Sequence, residues 1–323
     1  MQIGLGLPIT RPTGGFNPRV VFGDGSNGLL WDYSATTGLY SDNLGATPLT
    51  APDTGVGLVA DRSRVRSPVT AYGGAQASAG LRPVWKFASG FGAARFDRTD
   101  DVLSTVLTLA QTGDVAVFGK NGSWRETARA YTAGATFSIG PTTVTGLTAG
   151  LLAALGDIVG IVAIGRTLTA AELASTLAYF KARGAAGWLT AGSELITNGG
   201  FATDLTGWSV YNGATLTLSS QRMQVANGAS GRGGGAQSFA TVVGQSYVFS
   251  IDVTNGTHPA FIYFGVAAGS GGTYAMSNIT GHADAVFVAT ATTTWVTLMP
   301  SSTGVGNTTL FDNVSVKPLT VAA

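Results

Sequence analysis

Apolar and polar positions alternate most plainly from Tyr247 to Val253. Tyr247, Phe249, Ile251 and Val253 share one face, and Val248, Ser250 and Asp252 share the other. A period of two marks a half-buried β-strand. The runs FIYFGV, AVFVAT and TWVTLM continue the pattern, separated by Asn255-Gly256, by Gly269 to Gly272 and by a threonine run. Asn-Gly at 198, 212, 227 and 255 supplies residues suited to tight hairpins. Two stacked sheets are predicted over Glu194–Leu319.

The pattern upstream differs. From Val20 the chain breaks into short apolar pieces, with turn dipeptides at Asp24-Gly25 and Asn27-Gly28, then LRPVWKF, ARFDRTDDVLSTVL and DVAVFGKNGSW. Short strands at fairly regular spacing predict a sandwich. One helix closes it. Thr169 and Glu172 form a capping box, Leu173, Leu177 and Phe180 fall on one face at i, i+4 and i+7, and Gly184 supplies the stop.

Leu147 to Gly165, LTAGLLAALGDIVGIVAIG, is about long enough to span a bilayer. Asp157 in its middle and glycines at 150, 156, 160 and 165 argue instead for a helical turn followed by a buried strand, Ile158–Ile164, with no membrane insertion. The fold class expected is therefore all-β: two β-sandwich (jelly-roll) domains in tandem, the first closed by one short α-helix. The boundaries are an N-terminal arm at 1–19, a sandwich at 20–189, a linker at 190–193, a jelly roll at 194–319 and a tail at 320–323.

Composition narrows the class. Charged residues are 11% of 323, against roughly 25% in an ordinary soluble domain. Aromatic and β-branched residues are nonetheless plentiful, so the chain is not of disordered type. Net charge is +1 and basic runs are short, a poor footprint for nucleic acid. There is no cysteine, which removes disulfides and thiolate metal sites. The opening MQIGLGLPITRP has no charged n-region, and glycine and proline break its apolar residues, so no secretory signal is expected. Low charge without an export signal suits a particle released by lysis, made in the bacterial cytoplasm and localised to the virion. Ile3, Leu5 and Leu7 in the arm are read either as a docking stripe or as a frayed terminus.

WDYS…TTGLYSDNLGATPLTAPDTGVGLVAD, then RPVW and RFDRTDDVLSTV, resembles a module of phage, prophage or gene-transfer-agent-like appendage proteins that has a laminin-G-like, concanavalin-A-type sandwich. Phe96, Asp97, Asp100, Asp101 and Leu103 match its FDG-x-DD-x-L stretch, with Arg98 where glycine is usual. Arg166, Leu168, Thr169 and Glu172 match its closing helix. Further on, Asn198, Gly200, Phe201 and Trp208, with Asp312, Asn313, Val314 and Val316, resemble the two ends of a family 4/9-type carbohydrate-binding jelly roll. That resemblance implies a structural calcium near the paired termini, for which Asn198 and Asp312 are the candidate oxygen donors. Ala202 stands where the family has an acidic ligand, which counts against the ion. It also implies that Trp208 and Trp295 pack the core.

A sugar site needs flat aromatic faces and a few orienting polar groups. Tyr211, Tyr263 and Tyr274 adjoin glycine-rich or polar sequence and are the candidate carbohydrate contacts. Asp97, Asp100 and Asp101 are read as a turn bonded to its own backbone. His258 and His282 have neither metal spacing nor a nucleophile motif beside them. No catalytic residues are assigned, and no cofactor beyond the calcium. The leading function is a virion appendage (tail fibre, spike or head fibre) that binds host-surface polysaccharide through its C-terminal jelly roll. Its arm would contact other virion proteins and support a homo-oligomer, expected to be a trimer. The alternatives are a decoration protein without glycan binding and an accessory binding part of a polysaccharide-degrading enzyme.

Overall fold

Strand Ile158–Ile164 is buried at all seven positions, because it is covered on both faces and paired on both edges. In a computed structural model of the chain it lies between Gln111–Gly119 on one side and Gly28–Asp32 on the other, antiparallel to both. The structure describes residues 17–24, 26, 28–63, 73–88, 90–97, 99–106, 111–131, 134–140 and 149–322. The N-terminal docking stripe therefore lies outside the described residues. The chain forms two compact units: the first is Met1–Asp97, Asp101–Ile139 and Asp157–Gly187, and the second is chiefly Gly140–Gly156 and Trp188–Ala323.

The architecture is all-β, as the periodicities predict. In the first unit a seven-stranded sheet containing Ile158–Ile164 faces a five-stranded one. Trp31 reaches across between them, edge-on to Phe137 at 5.6 Å. It also covers Gly74, where a Cβ would come within 2.6 Å of the indole. The opposite face of the large sheet carries the closing helix, Ala170–Lys181. The expected stripe is shifted in the structure. Thr176 and Phe180 are the buried helix positions, while Leu173 and Leu177 stay partly exposed. Phe180 lies flat on Phe118 at 4.4 Å and occupies the space above Gly160, where a Cβ would meet its ring at 2.0 Å.

The capping box forms as the sequence predicts. Glu172 N donates to Thr169 Oγ1, and Thr169 N donates to Glu172 Oε2. Arg166 adds what periodicity does not show. Its guanidinium donates to both Glu172 oxygens, to Asp24 Oδ2, to Ser26 Oγ and to the carbonyls of Val21 and Thr167. One fork-shaped cation thus ties the helix start to the 3-10 turn Pro18–Phe22. This network pushes the Glu172 carboxyl down to about 2, chiefly through the Arg166 bond.

The second unit is a pair of facing antiparallel sheets. One is six-stranded and includes Ser246–Asn255, Gly281–Val288 and the long closing strand Thr308–Val321. The other is five-stranded, in the spatial order Ser209–Tyr211, Gly234–Ala240, Thr293–Pro300, Ala260–Gly265, Tyr274–Ile279. Phe264 of the second sheet meets Phe249 and Phe287 of the first at 4.8 and 4.5 Å. Tyr247, Phe249, Ile251 and Val253 all face this core. Trp208 is in it too, donating from Nε1 to the Asn198 carbonyl. The described part of 147–165, from residue 149 on, forms the helix Ala149–Leu155, which packs in the second unit against Gly281–Val288, and the strand Ile158–Ile164. Among the described residues no helix is long and apolar enough to cross a membrane.

Turn chemistry is only partly as expected. Asn212-Gly213 has both φ values positive (49° and 66°) and makes a tight turn, closed by Ala214 N donating to Tyr211 O. Asn227 uses its amide instead to bind the carbonyls of Ser302 and Gly304. The hairpin between Thr215–Leu218 and Met223–Ala226 turns on Ser220 and Gln221, both at positive φ (52° and 60°) and neither glycine nor asparagine.

Candidate functional site

The five strands SVY, GGAQSFA, TTWVTLMP, AFIYFG and YAMSNI contain no aspartate, glutamate, lysine or arginine. Their sheet in the second unit turns one face inward. Ala260, Ile262 and Phe264 are buried there, as are Val296 and Leu298. Strand alternation places Phe261, Tyr263 and Trp295 on the outward face, each partly exposed. Tyr211 joins them from the edge strand, where it pairs with Gly234.

A glycine-rich loop, residues 266–272, folds back onto this face. Gly269 N donates to the buried Thr297 Oγ1 at 2.8 Å. Gly269 sits at φ +76° against the Tyr211 ring, where a Cβ would come within 2.0 Å of Cζ. A Cβ at Gly271 would come within 2.4 Å of the Tyr263 ring, and the Ser270 carbonyl rests over Gly265. Only glycine can take this course, since any side chain at 269 or 271 would strike a ring. Tyr211 and Tyr263 therefore share one feature, the seat of this loop.

Beside them Phe261 stands edge-on to Tyr263 at 4.8 Å and 84°. The Arg232 guanidinium lies over the Phe261 ring, 4.4 Å from its centroid. Arg232 Nη2 donates to the Ser301 carbonyl at 2.5 Å. The outward face thus carries Tyr211, Phe261, Tyr263 and Trp295, with the loop lying against the two tyrosines and one cation over Phe261, and its partly exposed rings can stack on the apolar face of a ring-shaped polar molecule.

Two sequence expectations need correction here. Tyr274 pairs with Phe264 and shares its inward face, packing against the core, where desolvation raises its hydroxyl pKa. It does not join Tyr211 and Tyr263. Trp295 does not pack the core. It pairs with Gly265 and Ser238 and points outward, because the neighbouring Val296 takes the inward position. Phe261 and Arg232 were not picked out from the sequence at all. FIYFGV is apolar at every position but one, so alternation alone does not say which set faces out.

The candidate calcium donors lie at the paired ends of the unit, where Val314 N donates to Gly199 O. Asn198 turns its Nδ2 to Asp204 and to the Thr206 carbonyl. Asp312 accepts from Asn313 N and pairs in register with Asp252. No hydrogen bond joins Asn198 to Asp312 among the described residues. In the first unit Asp97 N donates to Asp101 Oδ2 and Asp101 N to Asp97 Oδ1, the self-bonded turn expected.

The six-stranded sheet carries Asp252, Asp284 and Asp312. His282 bridges Asp252 (Nδ1 to Oδ1, 2.7 Å) and Asp284 (Nε2 to Oδ2, 3.2 Å), and Asn313 Nδ2 donates to Asp252. The bond to Asp252, aided by the charge of Asp284, raises the His282 pKa. A raised folded-state pKa contributes stability that is fully present below the unfolded value of about 6.5. That contribution is lost as pH rises through the folded value. An NMR titration of the imidazole should give a midpoint above that of an ordinary histidine, and Asp252→Asn should lower it. An unmoved midpoint would refute the pairing.

No protein-family model matches the chain. No curated protein matches it. Among solved structures, similarity is found to the second N-terminal cellulose-binding domain of Cellulomonas fimi β-1,4-glucanase C. Identity is 18%, with 42% of this chain and 100% of that one covered, at a TM-score of 0.30. The CBM22-1 xylan-binding domain of Paenibacillus barcinonensis Xyn10C is similar at 16% identity, covering 41% and 99%, with a TM-score of 0.30. A cyclase from Fischerella sp. TAU is similar at 16% identity, covering 42% and 100%, with a TM-score of 0.31.

Proposed function

We propose that the chain is a glycan-binding protein whose second unit holds sugar on the outward face of its five-stranded sheet, and that it serves as a virion appendage rather than as an enzyme. The observation that carries the binding reading is the cluster of Tyr211, Phe261, Tyr263 and Trp295 on an uncharged outward face. Large rings are normally buried, and four of them left partly exposed on one sheet face mark an interaction surface. Stacking on aromatic faces suits pyranose rings, which present apolar C–H faces edged by hydroxyls. The appendage reading is supported by the resemblance of Val20–Leu189 to phage appendage modules. A weak site suits that role, because repeated copies on a particle raise avidity by about 10²–10⁴.

Affinity electrophoresis against bacterial capsule, lipopolysaccharide and plant polysaccharides tests the binding. Tyr263→Ala or Trp295→Ala should weaken retention by about tenfold, the scale of one aromatic anchor worth about 1–1.5 kcal/mol. Tyr274→Ala, on the inward face, should instead lower thermal stability and leave retention intact. Equal retention of wild type, Tyr263→Ala and Trp295→Ala would remove this face as the site. Retention of none would favour the decoration reading. Antibody labelling of released particles tests the appendage reading, which fails if no particle carries the chain.

A further inference from the structure

The strand-borne charges of the second unit all lie in its six-stranded sheet. Asp252, Asp284, Asp312 and Lys317 belong to strands of the six-stranded sheet, and Glu194 is bonded to it through Ser315 and Val316. The five-stranded sheet has no charged residue in any strand, and loop 266–272 has none either. Arg232 is the cation set on that face, and among the described residues no carboxylate pairs with it. Its position is fixed by stacking on Phe261 at 4.4 Å and by the Nη2 bond to Ser301 O. Nε is buried with no partner, and Nη1 makes no hydrogen bond among the described residues. A guanidinium so placed is oriented and partly desolvated, with donors unspent.

We propose, building on the glycan-binding reading, that the ligand is a carboxylate-bearing glycan and that Arg232 contacts its carboxylate while the neighbouring rings stack on the sugar. Three features of the site favour an anion. A planar guanidinium matches a carboxylate in shape and donor spacing. Hydrogen bonds between charged partners are stronger than those to neutral hydroxyls. The face holds no acidic side chain to compete for the cation or repel the ligand, and its low polarity leaves the interaction weakly screened. Phe261 then has two roles, as a stacking surface and as the platform that aims the arginine.

The test uses the full chain with polygalacturonate, alginate and hyaluronate, each beside its methyl-esterified or carboxyl-reduced counterpart. Wild type should be retained about tenfold more strongly by at least one acidic polymer than by its neutral counterpart, and the preference should shrink as salt rises. Arg232→Gln should abolish the preference while leaving residual binding through the rings. Arg232→Lys, which keeps the charge but not the fork, should keep part of it. Thermal unfolding of both variants checks that the fold survives, and Arg232→Lys guards against a purely packing effect. Equal binding of acidic and neutral forms by wild type would overturn the inference and leave glycan binding standing, as would a preference that persists in Arg232→Gln. Binding of neither form, together with no retention on the broader polysaccharide panel, would defeat the glycan reading itself.

Discussion

Replacing Phe180 by alanine is expected to destabilise the first unit by about 3–5 kcal/mol, the range for deleting a fully buried aromatic ring. Phe180 is completely buried and is the main apolar link between helix Ala170–Lys181 and the large sheet. Its ring lies on Phe118 and fills the hollow above Gly160. The hollow exists because residue 160 has no side chain, so the reciprocal change is informative. Gly160→Ala would push a methyl group against a ring held between helix and sheet, and overpacking of that kind costs about 1–3 kcal/mol. Two units are present, so a single unfolding midpoint would mix their transitions. Hydrogen exchange of the Ile158–Ile164 amides isolates the first. Unchanged protection there in Phe180→Ala would mean that the helix is not docked as described.

Removing the Asp114 carboxylate is the other large effect expected, about 3 kcal/mol for Asp114→Ala. Asp114 is buried, and its Oδ2 accepts from Arg125 Nη2 at 2.6 Å and from Leu168 N at 2.7 Å. Asp114 N also donates to the Arg166 carbonyl, so the residue fixes the short link between strand Ile158–Ile164 and the closing helix. Alanine would strand the backbone N–H of Leu168 and leave the guanidinium without its carboxylate. Losing one partner of a buried pair costs about 3–5 kcal/mol, and the lower end applies because Arg125 is partly exposed. Asp114→Asn retains an acceptor for Leu168 and should lose less. Denaturant unfolding read by exchange at the same amides measures both, and equal losses in the two variants would show that the charge is not what matters.

Much of the fold was legible because it is set locally. Thr169 and Glu172 cap a helix wherever that helix is placed, since both bonds close within three residues. Ile158–Ile164 reads as a doubly covered strand because every one of its positions is small or apolar. Tyr247 to Val253 shows its inward face directly, since only one of its two faces is uniformly apolar.

The candidate site was legible only in part. Alternation says which residues share a face, but not which face turns inward when both sets are apolar. In TWVTLM the set of Trp295 and Met299 is as apolar as that of Val296 and Leu298, and the choice between them is made by packing against Phe249 and Phe287 of the other sheet. Tyr274 has the composition of a surface contact, yet its pairing with Phe264 turns it inward. The seat of Gly269 on Tyr211 joins residues 58 positions apart (269 − 211), and the stack of Arg232 on Phe261 joins residues 29 apart (261 − 232). The sequence by itself determined the strands, the capped helix and the two-sandwich plan, because these follow from short-range periodicity and hydrogen bonding. Only the tertiary structure decided which aromatic rings reach solvent and which cation stands beside them, because that depends on how one sheet packs against the other.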